Sequence, residues 1–366
     1  MRDATLVTTQ DQLDAAVFRM QGAVRLAIDT EFMRERTYYA QLCLVQVATD
    51  ADCFLVDPLA GLDLEPLHTL LGDRAKTKIL HAARQDLEVL HLAGGRVPAP
   101  VFDTQVAAAL LGFPPQAGYA DLVARQLGHS IDKGQTRTDW SRRPLTPEQL
   151  AYAADDVHHL LQLHTELASA LEARGRTAWL AEETAAFEDP ALYQTAPSAA
   201  WRRLKGLARL RPREQAAARA LAEWREQRAI ASDKPRGWIL SDESLYALAT
   251  RAPRTAEELE QVRELPPALV RQRGDELLAL IAAAQEAADD TFVESVARRP
   301  TPEKTALVAR LQQRVRDEAA ALEISPEVLA TRRDVEALVF SDRGESALAR
   351  GWRRAVIGET LAAMLG

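Results

Sequence analysis

Three short apolar runs, Arg25–Ile28 (RLAI), Leu42–Ala48 (LCLVQVA) and Cys53–Val56 (CFLV), follow one another early in this 366-residue chain. Their spacing allows only short loops, so they read as an antiparallel meander. After them the pattern changes to alternation. Leu62–Leu71 has the leucine spacing of a helix, Lys78–Leu80 reads as a strand, and a helix follows through Asp86, Leu87 and Leu90. Val101–Phe102 then precedes a helix over Thr104–Leu111, with Asp103 as N-cap and Gly112 as C-cap. A meander followed by alternating strands and helices demands a mixed sheet covered by helices.

Residues 129–145 (HSIDKGQTRTDWSRRPL) are polar, basic and aperiodic, and read as a loop. Thr146-Pro147-Glu148-Gln149 then carries a helix-start signature: Thr as N-cap, Pro at the first position, and Gln placed to complete a capping box. That helix is expected to run through Tyr152, Asp156 and Leu160 toward Ala170. Asp189-Pro190 and Ala196-Pro197-Ser198 mark a boundary, and Arg298-Arg299-Pro300-Thr301-Pro302 marks another. Everything after the first boundary has helical spacing. The expected division is therefore an α/β domain over 1–200 and two small all-α domains over 201–295 and 296–366.

Composition narrows the class. Apolar residues at 47% exclude a disordered chain. Two cysteines, Cys43 and Cys53, exclude a disulfide scaffold and a multi-cysteine zinc site. No apolar run approaches the roughly 20 residues that span a bilayer, and the first residues lack the apolar core of a signal peptide, so a cytoplasmic location is expected. The net charge of −8 is uneven: residues 1–200 hold 17 Lys/Arg against 27 Asp/Glu, and residues 201–366 hold 28 against 26. An acidic region argues against phosphate binding unless its carboxylates gather around cations.

Several carboxylates suit that exception. Asp29 and Glu31 are two apart at the end of the first run, so they share a strand face and repel each other unless a cation lies between them. Asp86 sits at the start of a helix. Tyr152 and Asp156 are four apart on one helix and share its face, with Asp155 about a quarter-turn away. None of the seven histidines forms a His-Glu-x-x-His pair, so a zinc site is not expected.

The order of these residues resembles the DEDD exonuclease superfamily in its tyrosine-containing branch. The surrounding text resembles the ribonuclease D family: Asp29-Thr30-Glu31-Phe32, Tyr39 to Gln46, Phe102-Asp103-Thr104-Gln105, and Trp140 through Arg143-Pro144-Leu145 to Asp156-Val157. Beyond the first domain, Trp201-Arg202-Arg203-Leu204-Lys205 and Leu221 to Arg225 resemble the start of an HRDC helical domain. The resemblance implies a ribonuclease-H-like exonuclease domain followed by two HRDC-like domains. It also implies a 3′→5′ exoribonuclease that releases nucleoside 5′-monophosphates and trims structured RNA 3′ ends, tRNA precursors above all. The cofactors implied are two Mg2+ or Mn2+ ions, held by Asp29, Glu31, Asp86 and Asp156. Asp29 would bridge both ions, and Tyr152 would fix the direction of attack.

For the substrate, the candidate contacts are Phe32 and Gln46 flanking the acidic strand, Lys133 and Arg143 in the basic loop, and Arg202, Arg203 and Lys205 in the densest basic run. The partner expected is RNA with a single-stranded 3′ end, bound by a monomer. The alternatives are a DNA exonuclease of the same superfamily, which the catalytic residues do not distinguish, and an RNA-binding scaffold with a dead site, which the complete residue set opposes.

Overall fold

The computed structural model describes every residue except 1–3, 132–133, 136–137, 195, 288–300, 341–345 and 366. Lys133 thus lies outside the described residues. The chain forms two compact units: Met1–Met33, Gln41–Tyr193 and Pro300–Gly366 make one, and Arg34–Ala40 with Gln194–Arg299 the other.

The first unit opens with β1 (Thr5–Val7) and α1 (Gln10–Met20). Next come β2 (Arg25–Met33), β3 (Gln41–Ala48), β4 (Cys53–Val56), α2 (Glu65–Gly72), β5 (Thr77–Leu80), α3 (Arg84–Gly94) and β6 (Val101–Asp103). Five helices follow: α4 (Thr104–Leu110), α5 (Tyr119–Leu127), α6 (Pro147–His158), α7 (Leu160–Ala173) and α8 (Thr177–Ala185). The six strands make one mixed sheet in the order β1-β4-β3-β2-β5-β6. The meander is present, with β2, β3 and β4 antiparallel in sequence, while β5 and β6 run parallel to β2 and β1 runs parallel to β4. Strand β3 is buried along nearly all its length, as expected of a central strand covered on both faces.

The second unit holds α9 (Pro212–Ser232), α10 (Arg236–Ile239), α11 (Asp242–Arg251), α12 (Ala256–Glu260) and α13 (Pro267–Glu286). Its core forms where Ala217, Ala218, Leu221 and Trp224 of α9 meet Leu245, Leu248, Leu277 and Ile281. Glu226 of α9, 1% exposed, is the charged centre of this unit. It accepts from the Tyr38 hydroxyl at 2.5 Å, is gripped by both ends of the Arg236 guanidinium, and lies 3.5 Å from Arg203. The loop Arg34–Ala40, which joins β2 to β3, therefore belongs by its packing to the helical unit.

The chain's last helices are α14 (Pro302–Ala321), α15 (Pro326–Leu329), α16 (Arg332–Phe340), α17 (Gly351–Arg353) and α18 (Glu359–Ala363). They do not form a body of their own, contrary to the expected third domain. Leu311, Val315, Trp352 and Leu361 share one core with Leu110, Leu163, Leu167 and Leu180. Trp352 stacks on Trp179 with ring centroids 4.4 Å apart, and its indole N–H donates to Glu183 at 2.8 Å. Buried Arg176 donates to the carbonyls of Leu110 and Leu322, each at 2.6 Å. Helical periodicity tells that each helix has an apolar face, but not which surface covers it. Among the described residues no helix is long and apolar enough to cross a membrane.

Candidate active site

Strand β2 is paired on both sides only at its start. Strand β5 meets Arg25, Leu26 and Ala27, whereas β3 continues alongside to Met33. Asp29 and Glu31 thus project from a part of β2 that has outrun β5, at the carboxyl ends of parallel strands, where α/β sheets bind ligands. A register shift between Glu31 and Phe32 ends the regular pairing there.

The turn after β5 brings in Asp86. Asp103, buried at the end of β6, accepts from the backbone N–H groups of Ala82 at 3.1 Å and Ala83 at 2.8 Å. It also caps α4 by accepting from Gln105 at 2.8 Å. Its carboxylate so holds the Ala82 turn, at φ +56°, that starts α3, and Asp86 lies in the first turn of that helix. Thr30 Oγ donates to Asp86 Oδ1 at 2.6 Å.

The remaining carboxylate arrives on α6. The Thr146 hydroxyl accepts from Gln149 N–H at 3.2 Å while the Gln149 side chain accepts from Thr146 N–H at 3.0 Å, completing the expected capping box. Ala153 and Val157 are buried and seat α6 on β2, β3 and β4. Asp156 then meets the sheet: Asp29, Glu31 and Asp156 each offer an oxygen within 4.8 Å of the others. Asp86 stands outside that triplet, yet its charge acts on Asp29. Tyr152 donates its hydroxyl to the Asp156 carboxylate. Its ring lies 6.1 Å from that of Trp140, which is 2% exposed and buttresses it from the core.

Crowding shows in the acidities. Burial, then the charges of Asp86, Asp156 and Glu31, holds Asp29 well above the usual carboxylate range. Burial and the charges of Asp156 and Asp86 push Glu31 up to about 9. Asp86 and Asp156 are each pushed up to about 7, chiefly by burial. Oxygen-only carboxylates that resist ionisation side by side fit hard divalent cations such as Mg2+ or Mn2+, which neutralise them and retain water ligands.

The other sequence-derived contacts fare differently. Phe32 is half-buried beside the site. Gln46 lies across the ladder from Asp29 but is 0% exposed, so it sits beneath the site and not on a substrate-facing surface. Arg143 is also withdrawn from solution partners. Its Nε and Nη2 grip Asp57 at 2.6 and 2.7 Å, and its remaining N–H groups meet the carbonyls of Cys43, Trp140 and Arg142. All five donors are spent inside the fold, so Arg143 pins the basic loop to the sheet. In the helical unit Arg202, Arg203 and Lys205 are exposed, with Arg203 directed to Glu226. Nearby, Arg211, Arg213, Arg251 and Arg254 line a cleft of about 820 Å³. Sequence reasoning missed Thr30, whose position between two acids offered the only cue.

A family described as 3'-5' exonuclease matches residues 4–172, and the HRDC domain matches residues 214–281. Sheet, carboxylates and tyrosine together define an exonuclease of the DEDD class joined to one HRDC domain. The ribonuclease D of Acidiphilium cryptum is 39% identical over 359 residues, covering 97% of this chain and 91% of that protein. That of Pseudomonas paraeruginosa is 39% identical over 341 residues, covering 92% and 90%. The crystal structure of Escherichia coli RNase D, an exoribonuclease involved in structured RNA processing, superposes with a TM-score of 0.90 at 33% identity, over 99% of this chain and 98% of that one. The chain belongs to the ribonuclease D family.

Proposed function

We infer that this chain is a 3′→5′ exoribonuclease that removes nucleoside 5′-monophosphates from RNA with a single-stranded 3′ end, tRNA precursors among its substrates. The observation that carries the reading is the convergence of the Asp29, Glu31 and Asp156 oxygens within 4.8 Å. With Asp86 they would hold two Mg2+ or Mn2+ ions. Bound there, such ions acidify a water and stabilise the attacking and leaving oxygens of an in-line displacement.

The chain's own side chains supply the rest. Tyr152, anchored by its bond to Asp156, would orient the attacking water along the phosphorus–oxygen axis. Thr30 keeps one Asp86 oxygen engaged and so directs the other. Phe32 is placed to support the terminal base by stacking, which tolerates any base. In the helical unit, Arg202, Lys205 and the arginine-lined cleft would hold the RNA backbone without reading its sequence. Arg143 is left out of the RNA contacts, because its donors are already used. We propose that the enzyme works in the cytoplasm as a monomer.

One experiment tests polarity, sugar preference and metal use together. RNA labelled at either end and matching DNA are incubated with Mg2+, Mn2+ or EDTA. Stepwise shortening of 5′-labelled RNA, immediate mononucleotide release from 3′-labelled RNA, and silence in EDTA are expected. Equal or faster cleavage of DNA would turn the reading to a DNA exonuclease.

A further inference from the structure

Helix α6 stops two residues after Asp156, and the cause is a side chain from elsewhere in the unit. In a continuous α-helix the carbonyl of residue 155 accepts from the N–H of residue 159. Here the Tyr119 hydroxyl takes that carbonyl, donating to it at 3.2 Å, and the His159 N–H turns to the Val157 carbonyl instead. The helical run is interrupted at His159 and resumes as α7 at Leu160. Insertion of a side chain into the backbone ladder is an identifiable cause of such a break. Asp156 lies in the turn that the insertion opens.

We propose that Tyr119 is a positioning residue for Asp156: by splitting the Asp155–His159 backbone bond, its hydroxyl sets the pitch of the last turn of α6 and thereby aims the Asp156 carboxylate at those of Asp29 and Glu31.

Three features suit Tyr119 to this task. It is the first residue of α5, and its ring packs 5.6 Å from that of His81. His81 is itself fixed, with Nδ1 2.9 Å from Thr104 Oγ and Nε2 3.0 Å from the Ala117 carbonyl. The hydroxyl is therefore delivered from a ring packed against a doubly bonded histidine just after β5. It also keeps its proton, since burial and the charges of Asp156 and Asp29 hold the phenol well above 10. Finally, it does not duplicate Tyr152. Tyr152 bonds the Asp156 carboxylate, whereas Tyr119 bonds the backbone carbonyl just before that residue.

The inference rests on the reading of this site as a metal-dependent nuclease, and its test separates the two. Tyr119→Phe keeps the ring and removes the oxygen, so the backbone bond can close. Full-length wild type and variant are stripped with EDTA, their circular dichroism and melting temperatures compared, and Mn2+ titrated in by calorimetry without RNA. Steady-state kinetics on a short single-stranded RNA follow. The metal-free fold and melting temperature should be unchanged. Mn2+ affinity and kcat should fall by roughly 10–100-fold, the loss typical when a group supporting a metal ligand is removed. KM for RNA should hold, since no RNA contact is touched. A variant with the wild-type Mn2+ isotherm and kcat overturns the proposal, and so does one whose metal-free fold collapses, because that makes the hydroxyl a general structural bond. If wild type binds no Mn2+, the metal-dependent reading fails instead, and the kcat comparison alone decides the role of Tyr119.

Discussion

Glu31→Gln should abolish cleavage and yet stabilise the metal-free protein. Glu31 is held up to about 9, first by burial and then by the charges of Asp156 and Asp86. In the unfolded chain it titrates near 4.5. The folded state thus binds this proton more tightly, and stability falls as pH rises. The contribution is whole below the unfolded value and is lost progressively up to about 9. Each pH unit in that window costs about 1.4 kcal/mol, so three units, from 4.5 to pH 7.5, set a ceiling of ~4 kcal/mol. Glu31 is only half-buried, and water and neighbouring protonation take up about half of that, leaving ~2 kcal/mol. Glutamine fills the same volume without the charge. For a unit of this size ~2 kcal/mol corresponds to about 4–8 °C in melting temperature. Melts followed by circular dichroism in EDTA should show the variant higher at pH 7.5 and level with wild type at pH 4.5. Saturating Mn2+ should reverse the order, because ligand binding stabilises wild type by mass action and the variant less. A variant that melts at or below wild type in EDTA at pH 7.5 would refute the account of the site as crowded, unneutralised carboxylates.

Three further outcomes follow from other parts of the fold. Glu226→Ala leaves the Arg236 guanidinium facing a vacated, buried position and should cost about 3 kcal/mol, read as a lower urea midpoint. Because Arg236 and Tyr38 hold the Glu226 carboxyl below its ordinary range despite burial, its contribution in wild type persists above that range and disappears as acidification passes the lowered value, so the two proteins should converge in acid. A chain ending at Ser198 lacks α14–α18, whose Leu311, Val315, Trp352 and Leu361 complete the core of the first unit. It should bind a hydrophobic dye and aggregate, and a monomeric truncation with native circular dichroism would show that this core is dispensable. Asp156→Ala should be inactive in the labelled-RNA assay while Asp155→Ala retains most activity, since Tyr119 holds Asp155 by its carbonyl and not by its side chain. The reverse pattern would mean that Asp155 is the ligand.

Much of the site was legible because its signals are local. Asp29 and Glu31 share a face through the two-residue repeat of a strand, and Tyr152 and Asp156 share one through the helical repeat. Thr146 and Gln149 cap α6 through bonds spanning three residues, and Asp103 caps α4 over two or three. Such chemistry is complete within a turn or two of chain, so the residues alone determine it. What escaped depends on partners brought from far away. Strand β1 is three residues long, too short for a periodic signal, and exists because β4 offers it a parallel edge. Arg143 stands in a basic loop that invites an RNA contact, but Asp57, 86 residues earlier, consumes its guanidinium. The run from Pro147 to Ala173 has the periodicity of one helix and is two, because Tyr119 reaches in from 36 residues before Asp155. The helices after residue 301 show apolar faces like those of α9–α13, but packing decides that theirs share the core of the first unit. Local repeats dictate which side of an element seeks burial. Only the folded chain decides what meets it there, because burial is non-directional and any complementary apolar face satisfies it.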